Sequence, residues 1–226
     1  MKRSKINSLI RDSIEFFDAM GFKLPPWAHW KPEDWEGKSG IVRAIVDTML
    51  GWDLTDFGSG DFESKGLILF TLRNGDYSNP ENSKCYAEKI MVVGEEQVTP
   101  YHFHWHKMED IINRGGGNLV IELHASDRSE MLSQEPVVVR VDSIKRTIAP
   151  GGKVILTPGE SICLEPYMYH CFYGEKGRGK VLVGEVSAVN DDTADNRFLE
   201  VNGRFPKIEE DEKPLHLLVN DYRNWL

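Results

Sequence analysis

Across residues 4–20, Ile6, Leu9, Ile10, Ile14 and Phe17 recur at spacings of three and four. That period gathers them on one face of an amphipathic helix. Ser4 is the expected N-cap and Gly21 the expected stop, and Pro25-Pro26 then breaks the chain. The aromatic-rich stretch 27–35 is expected to pack over the outside of a core or to make a dimer contact. From about Gly66 the period shortens. Runs of strand formers at 67–72, 86–93, 118–124, 137–141, 153–156, 161–164 and 181–187 alternate with turn residues. Asn74-Gly75, Gly115-Gly116-Gly117, Pro150-Gly151-Gly152 and Pro158-Gly159 punctuate them, Asn74-Gly75 as a hairpin-type turn signal. Many short strands with Gly/Pro turns predict a mainly β fold, an antiparallel sandwich or closed barrel. The expected organisation is a single domain over 1–226 with a helical extension over about 1–60. The acidic run 209–212 reads as a solvated loop.

Composition narrows the picture. The chain has 226 residues, enough to bury a sizeable core. A net charge of −9 argues against a nucleic-acid partner, which needs concentrated Lys and Arg. No apolar run approaches the roughly 20 residues of a membrane span, so no membrane partner is expected. The basic start, Met1-Lys2-Arg3-Ser4-Lys5, is followed by Arg11, Asp12, Glu15 and Asp18 rather than an apolar stretch, so no signal peptide is expected. Cys85, Cys163 and Cys171 are odd in number and lack CxxC spacing. They suit a reducing, cytoplasmic setting.

The chemistry concentrates in Tyr101-His102-Phe103-His104-Trp105-His106. On a continuous strand the three histidines would share one face, and two at i and i+2 can chelate one ion. Glu109 returns over the same site if the chain turns at Lys107-Met108. Asp110 is the rival carboxylate, and a turn beginning at His106 would move that residue off the ion. Downstream, Pro166 fixes a turn and His170 follows, supplying a fourth ligand. His102, His104, Glu109 and His170 are therefore the candidate metal ligands.

The two segments resemble the paired motifs of the cupin family. The first motif matches at His102, His104, Glu109 and Gly116, the second at Gly159, Pro166 and His170, with Met168 where a glycine is usual. The resemblance implies a jelly-roll-like antiparallel β-barrel with a metal inside its mouth. It does not choose a reaction. Residues 51–58, 86–89, 184–187 and 190–198, with the histidine segment, are similar to the D-lyxose isomerases. That likeness implies a metal-dependent aldose–ketose isomerase interconverting D-lyxose and D-xylulose, and D-mannose and D-fructose, through a cis-enediolate. It also implies free sugar substrates, a homodimer and a divalent ion. Manganese is expected, and the N/O donor set also accepts iron, nickel, zinc or cobalt.

Such a reaction needs a base near C1 and C2. Glu185 is the first candidate, because Val183, Glu185 and Ser187 share one strand face and an acidic residue amid apolar strand positions is rarely buried without a purpose. Lys107 is expected to polarise a substrate oxygen or relay a proton, and Glu109 is an alternative base. Asp195 and Arg197 are expected to contact sugar hydroxyls. Clustered cations for a phosphate are scarce, with Lys107, Arg114 and Arg197 the obvious ones. The competing readings are an iron-dependent cupin dioxygenase, its pocket built from Tyr101, Phe103, Trp105, Tyr167, Tyr169 and Phe172, and a non-catalytic sugar-binding cupin.

Overall fold

The computed structural model describes residues 1–79, 84–200 and 203–225. The helix α1 (Arg3–Ala19) is followed by short 3₁₀ turns over Pro26–His29 and Pro32–Trp35 and by α2 (Arg43–Asp47). The strands are β1 (Gly51–Thr55), β2 (Leu67–Arg73), β3 (Tyr86–Val93), β4 (Thr99–Phe103), β5 (Glu109–Gly116), β6 (Leu119–Ala125) and β7 (Val137–Val141). They continue as β8 (Ile144–Ile148), β9 (Gly152–Leu156), β10 (Ser161–Leu164), β11 (Met168–Gly174), β12 (Val181–Ala188) and β13 (Arg197–Phe198), before α3 (Tyr222–Trp225).

All strand pairs are antiparallel, in a sheet of order β1-β2-β3-β12-β5-β10-β7-β8 and a second of order β13-β4-β11-β6-β9. This is the mainly β, cupin-type architecture expected. One apolar core, including Met91, Ile111, Leu123 and Val183, lies between the sheets. A second lies on the outer face of the larger sheet, where Ile6, Ile10 and Phe17 of α1 cover Ile68, Phe70, Ile90 and Leu182. Period-2 alternation on β12 thus serves two cores: Val181 and Val183 face inward and Leu182 outward. The aromatic stretch forms the cover expected, with Trp35 buried against Val42, Leu217 and Tyr222.

Several local expectations change. Lys2, not Ser4, is the N-cap, and Ser4 inside the helix donates its hydroxyl to Asp211 at 2.7 Å. The acidic run is not merely solvated. Glu210 pairs with the buried Arg3, Asp211 accepts from Ser4, and Glu212 accepts from Asn7. A charged segment that finds a helix N-terminus satisfies its exposed N–H groups instead of facing water. Asn74-Gly75 is not a hairpin turn. The buried Asn74 side chain donates to the carbonyls of Thr48 and Asn190 and accepts from the Asn190 amide, tying three loops together. The glycine of the first motif is explained by backbone conformation. Gly116 sits at φ +85°, and a Cβ there would lie 2.3 Å from the Lys180 carbonyl oxygen.

Candidate active site

The site lies between the two sheets. His102 on β4 stands directly opposite His170 on β11, so two histidines form one cross-strand pair of the smaller sheet. His104 follows immediately after β4. Glu109 opens β5 on the facing sheet and closes the group from the other side. All four are buried, and one ligand atom from each lies within 4.8 Å of the others. Ion–ligand bonds of roughly 2.0–2.3 Å place ligand atoms within about 4.6 Å of one another, so the cluster is near the size an ion requires.

Hydrogen bonding fixes the histidine tautomers. Nδ1 of His102, His104 and His170 lies 2.8, 2.7 and 3.0 Å from the carbonyls of Pro100, Asp195 and Met168. A carbonyl only accepts, so each Nδ1 carries a proton, and each Nε2 is the nitrogen turned toward the cluster. Nε2 of His104 and of His170 is buried with no hydrogen-bond partner among the described residues. His170 Nε2 lies 3.0 Å from Glu109 Oε1, a buried contact that calls for a proton or a shared cation. Burial, then the neighbouring His170 and His104, push His102 well below the usual imidazole range and keep it neutral. Three converging imidazole nitrogens, two of them without a hydrogen-bond partner among the described residues, and one carboxylate suit a divalent ion.

Beyond Glu109 runs a buried chain of alternating charge. Lys107 Nζ lies 2.8 Å from Glu109 Oε2 and 2.9 Å from Glu185 Oε1. Lys89 lies 3.3 Å from Glu185 and donates to Asn190 Oδ1 at 2.6 Å. Asp192 accepts from Arg204 at 2.8 Å, and Arg204 also pairs with Asp53. Burial opposes charge on Glu109 and Glu185, but Lys107 above all outweighs it and holds both carboxyls below their usual range. Burial likewise opposes charge on Lys107, and Glu109 and Glu185 outweigh it, raising its ammonium above the usual range. Lys107 is therefore a fixed donor. One cavity is lined by His102, His104, Lys107, Glu109, Glu185 and Lys89, with Asp192, Asn196, Phe198 and Arg204 among its other walls.

Other expected residues go elsewhere. β4 ends at Phe103, so His106 turns out to solvent, and Asp110 is exposed on the outer face of its strand. Asp195, expected to contact sugar hydroxyls, does not line the cavity. Its two carboxylate oxygens accept the backbone N–H groups of His106 and Lys107 at 2.9 Å each, which fixes the turn between the ligands. Arg197 points away too, to Glu130 at 3.2 Å. The aromatic pocket expected for an oxygenase does not form. Phe103 packs against Trp105, Tyr167 and Tyr169 away from the cavity, and only Phe172 of that set lines it. Where the second motif lacks its glycine, Tyr167 takes the left-handed conformation at φ +62°, and its N–H donates to the His104 carbonyl at 2.9 Å.

Lys89, Asp192 and Arg204 are functional candidates that the sequence pattern alone did not single out. The signal for Lys89 was present: it shares strand parity with the core residues Ala87, Met91 and Val93, the same anomaly that exposed Glu185. Asp192 and Arg204 lie in loops, where no period exists to betray them.

The family model described as D-lyxose isomerase matches residues 1–222. A protein of Serratia proteamaculans named D-lyxose/D-mannose isomerase is 50% identical over 227 residues, covering 100% of both chains. One of the same name from Escherichia coli O157:H7 is 47% identical over 226 residues, again covering 100% of each. Among solved structures, an L-ribose isomerase of Cellulomonas parahominis with L-ribose is similar in fold, with TM-score 0.62 at 14% identity, covering 92% of this chain and 98% of that one. An L-ribose isomerase of Geodermatophilus obscurus gives TM-score 0.61 over the same shares at 14% identity.

Proposed function

The chain belongs to the D-lyxose isomerase family, and from that premise we propose that it interconverts D-lyxose with D-xylulose and D-mannose with D-fructose in the cavity between its sheets. The observation that carries this reading is the meeting, at one cavity between the sheets, of a buried His₃Glu cluster and a carboxylate gripped by a lysine. His102, His104, Glu109 and His170 are the proposed holders of a divalent ion, manganese in first place. When bound there, such an ion supplies Lewis acidity that makes a sugar's C2 hydrogen more acidic.

The protein's own groups account for the rest. Glu185 takes the proton from C2 of the aldose and returns it to C1, while the proton of the C2 hydroxyl passes to the C1 oxygen. The carboxylate is ionised and ready, because Lys107 and Lys89 hold it so. Lys107 fixes its orientation, its three ammonium donors taken by Glu109, Glu185 and Asn190, and its positive charge favours an oxygen gaining negative charge in the enediolate. The cavity's carboxylates and amide suit hydroxyl groups. Its cations Lys89 and Arg204 are already committed to Glu185, Asp192 and Asp53, which leaves little for a phosphate and favours free sugars. Metal analysis together with a screen of free against phosphorylated pentoses and hexoses tests the reading. Turnover of D-lyxose and D-mannose is expected, and turnover confined to phosphosugars contradicts it.

A further inference from the structure

β4 and β11 fall out of step beside the metal cluster. His170 pairs with His102 and Phe172 with Thr99, so two residues of β11 oppose three of β4. Such a bulge resets which side chains share a face. Without it, Thr99 would follow the parity of Tyr101 and Phe103 and leave the cavity. With it, Thr99 joins His102 and Phe172 on the cavity wall. The extra residue sits in the segment containing Pro100, which has no N–H to lose from a ladder and whose carbonyl anchors His102 Nδ1. The same irregularity thus orients a candidate ligand and turns a threonine inward.

That threonine is in an unusual state. Thr99 is 3% exposed, and its hydroxyl has no hydrogen-bond partner among the described residues. Buried hydroxyls are paired as a rule, because an unpaired one forfeits its hydration. By contrast Thr55, on the same cavity, has its hydroxyl accepting the Phe57 amide at 2.9 Å. Valine has nearly the same shape as threonine and would serve packing alone better.

Resting on the isomerase reading above, we propose that Thr99 is a substrate-binding residue, its hydroxyl reserved for a hydroxyl of the bound sugar, and that the β4 bulge exists to present it. A hydroxyl both donates and accepts, so it can complete the pairing of a sugar hydroxyl sealed from water. Sites built this way discriminate against a partner that leaves a buried polar group unpaired.

The test compares the wild-type protein with Thr99→Val and Thr99→Ser, each fully metal-loaded, on D-lyxose and D-mannose. Wild-type turnover is read first: if neither sugar is isomerised, the isomerase reading itself fails. Given turnover, Thr99→Val is expected to lose about 10- to 100-fold in kcat/KM on at least one of the two sugars, the usual effect of unpairing a buried polar partner. Thr99→Ser should stay within about 5-fold of wild type. Metal content should be equal in all three. Thermal unfolding without sugar is the readout that a structural role would move the other way. Thr99→Val is expected to melt at or above the wild-type temperature, because it removes an unsatisfied group. Wild-type kcat/KM on both sugars in Thr99→Val, or a lower melting temperature accompanying its loss of activity, would overturn the proposal.

Discussion

At the scale of single residues, the site is governed by what each buried charge can pair with. Glu185 illustrates this. Gln at that position keeps the shape but cannot take a proton, so turnover is expected to fall by about 10²–10⁴-fold while metal content is unchanged. Steady-state rates with elemental analysis check this. Near-normal turnover would move the base to Glu109. Lys107 answers to two carboxylates at once. Lys107→Met leaves both without their shared cation, and removing one partner of a buried pair costs about 3–5 kcal/mol. Chemical denaturation should register a loss of that order together with loss of turnover. Asp195 shows where reading a sequence misleads. As a carboxylate, a group suited to hydroxyls, it suggested a sugar contact, yet it binds two backbone N–H groups. Nothing in a residue's type tells whether a carboxylate will face a ligand or a turn. Glu185 and Lys107 were legible because a charge at a core-facing or ligand-adjacent position is costly to bury unless a partner or a reaction needs it there.

At the scale of elements, period and punctuation carried most of the information. The runs at 86–93, 137–141 and 161–164 became strands with those limits, because apolar side chains recur wherever a strand has a core face. Strands β1, β5, β8, β11 and β13 were not anticipated. β1 is buried at all five positions and so has no alternation, while β8 is an exposed edge with charged residues. The helix α1 was legible by period, but its start depended on a partner far away in sequence. Arg3 is fully buried and makes two hydrogen bonds at 2.9 Å to Asp221, which is itself buried. Its second pair, with the half-exposed Glu210, is worth less. Arg3→Met strands Asp221 as an unpaired buried charge. The expected cost is about 3–5 kcal/mol, read as a lower midpoint in urea with little change in the metal affinity of a site on the opposite face of the sheet. A large fall in metal affinity would mean that α1 and the site are coupled.

At the scale of the whole molecule, the two sheets act as jaws. The smaller contributes imidazoles, the larger contributes Glu109, Glu185 and Lys89, and the turn from β4 to β5 contributes Lys107. Pairing makes the ensemble sensitive to acid. Glu109, Glu185 and Asp192 all have folded-state carboxyls drawn below their ordinary values of 4.5, 4.5 and 3.8. A depressed folded pKa contributes stability that is fully present above the unfolded value and lost as pH falls through the folded one. The metal-free protein should therefore hold a constant melting temperature down to about pH 5 and lose it steeply below about pH 4.5. A plateau extending to about pH 3 would show that the charge chain contributes little. The layered fold and the four clustered ligands were legible from spacing, because a strand alternates and a turn is short. The charge chain through Asp192 and Arg204 was not, since it is assembled by loops meeting across the cavity mouth.

The central claim is that this cavity moves a proton between C1 and C2 of a free aldose with the help of the ion that His102, His104, Glu109 and His170 would hold. The most direct measurement follows D-lyxose by proton NMR in deuterium oxide, with manganese-loaded protein and with protein stripped by a chelator. The account predicts D-xylulose carrying deuterium at C1 in the loaded sample and no conversion in the stripped one, restored when the ion is returned. Conversion that persists undiminished in protein free of metal, or ketose formed at equilibrium without a trace of deuterium, would contradict it.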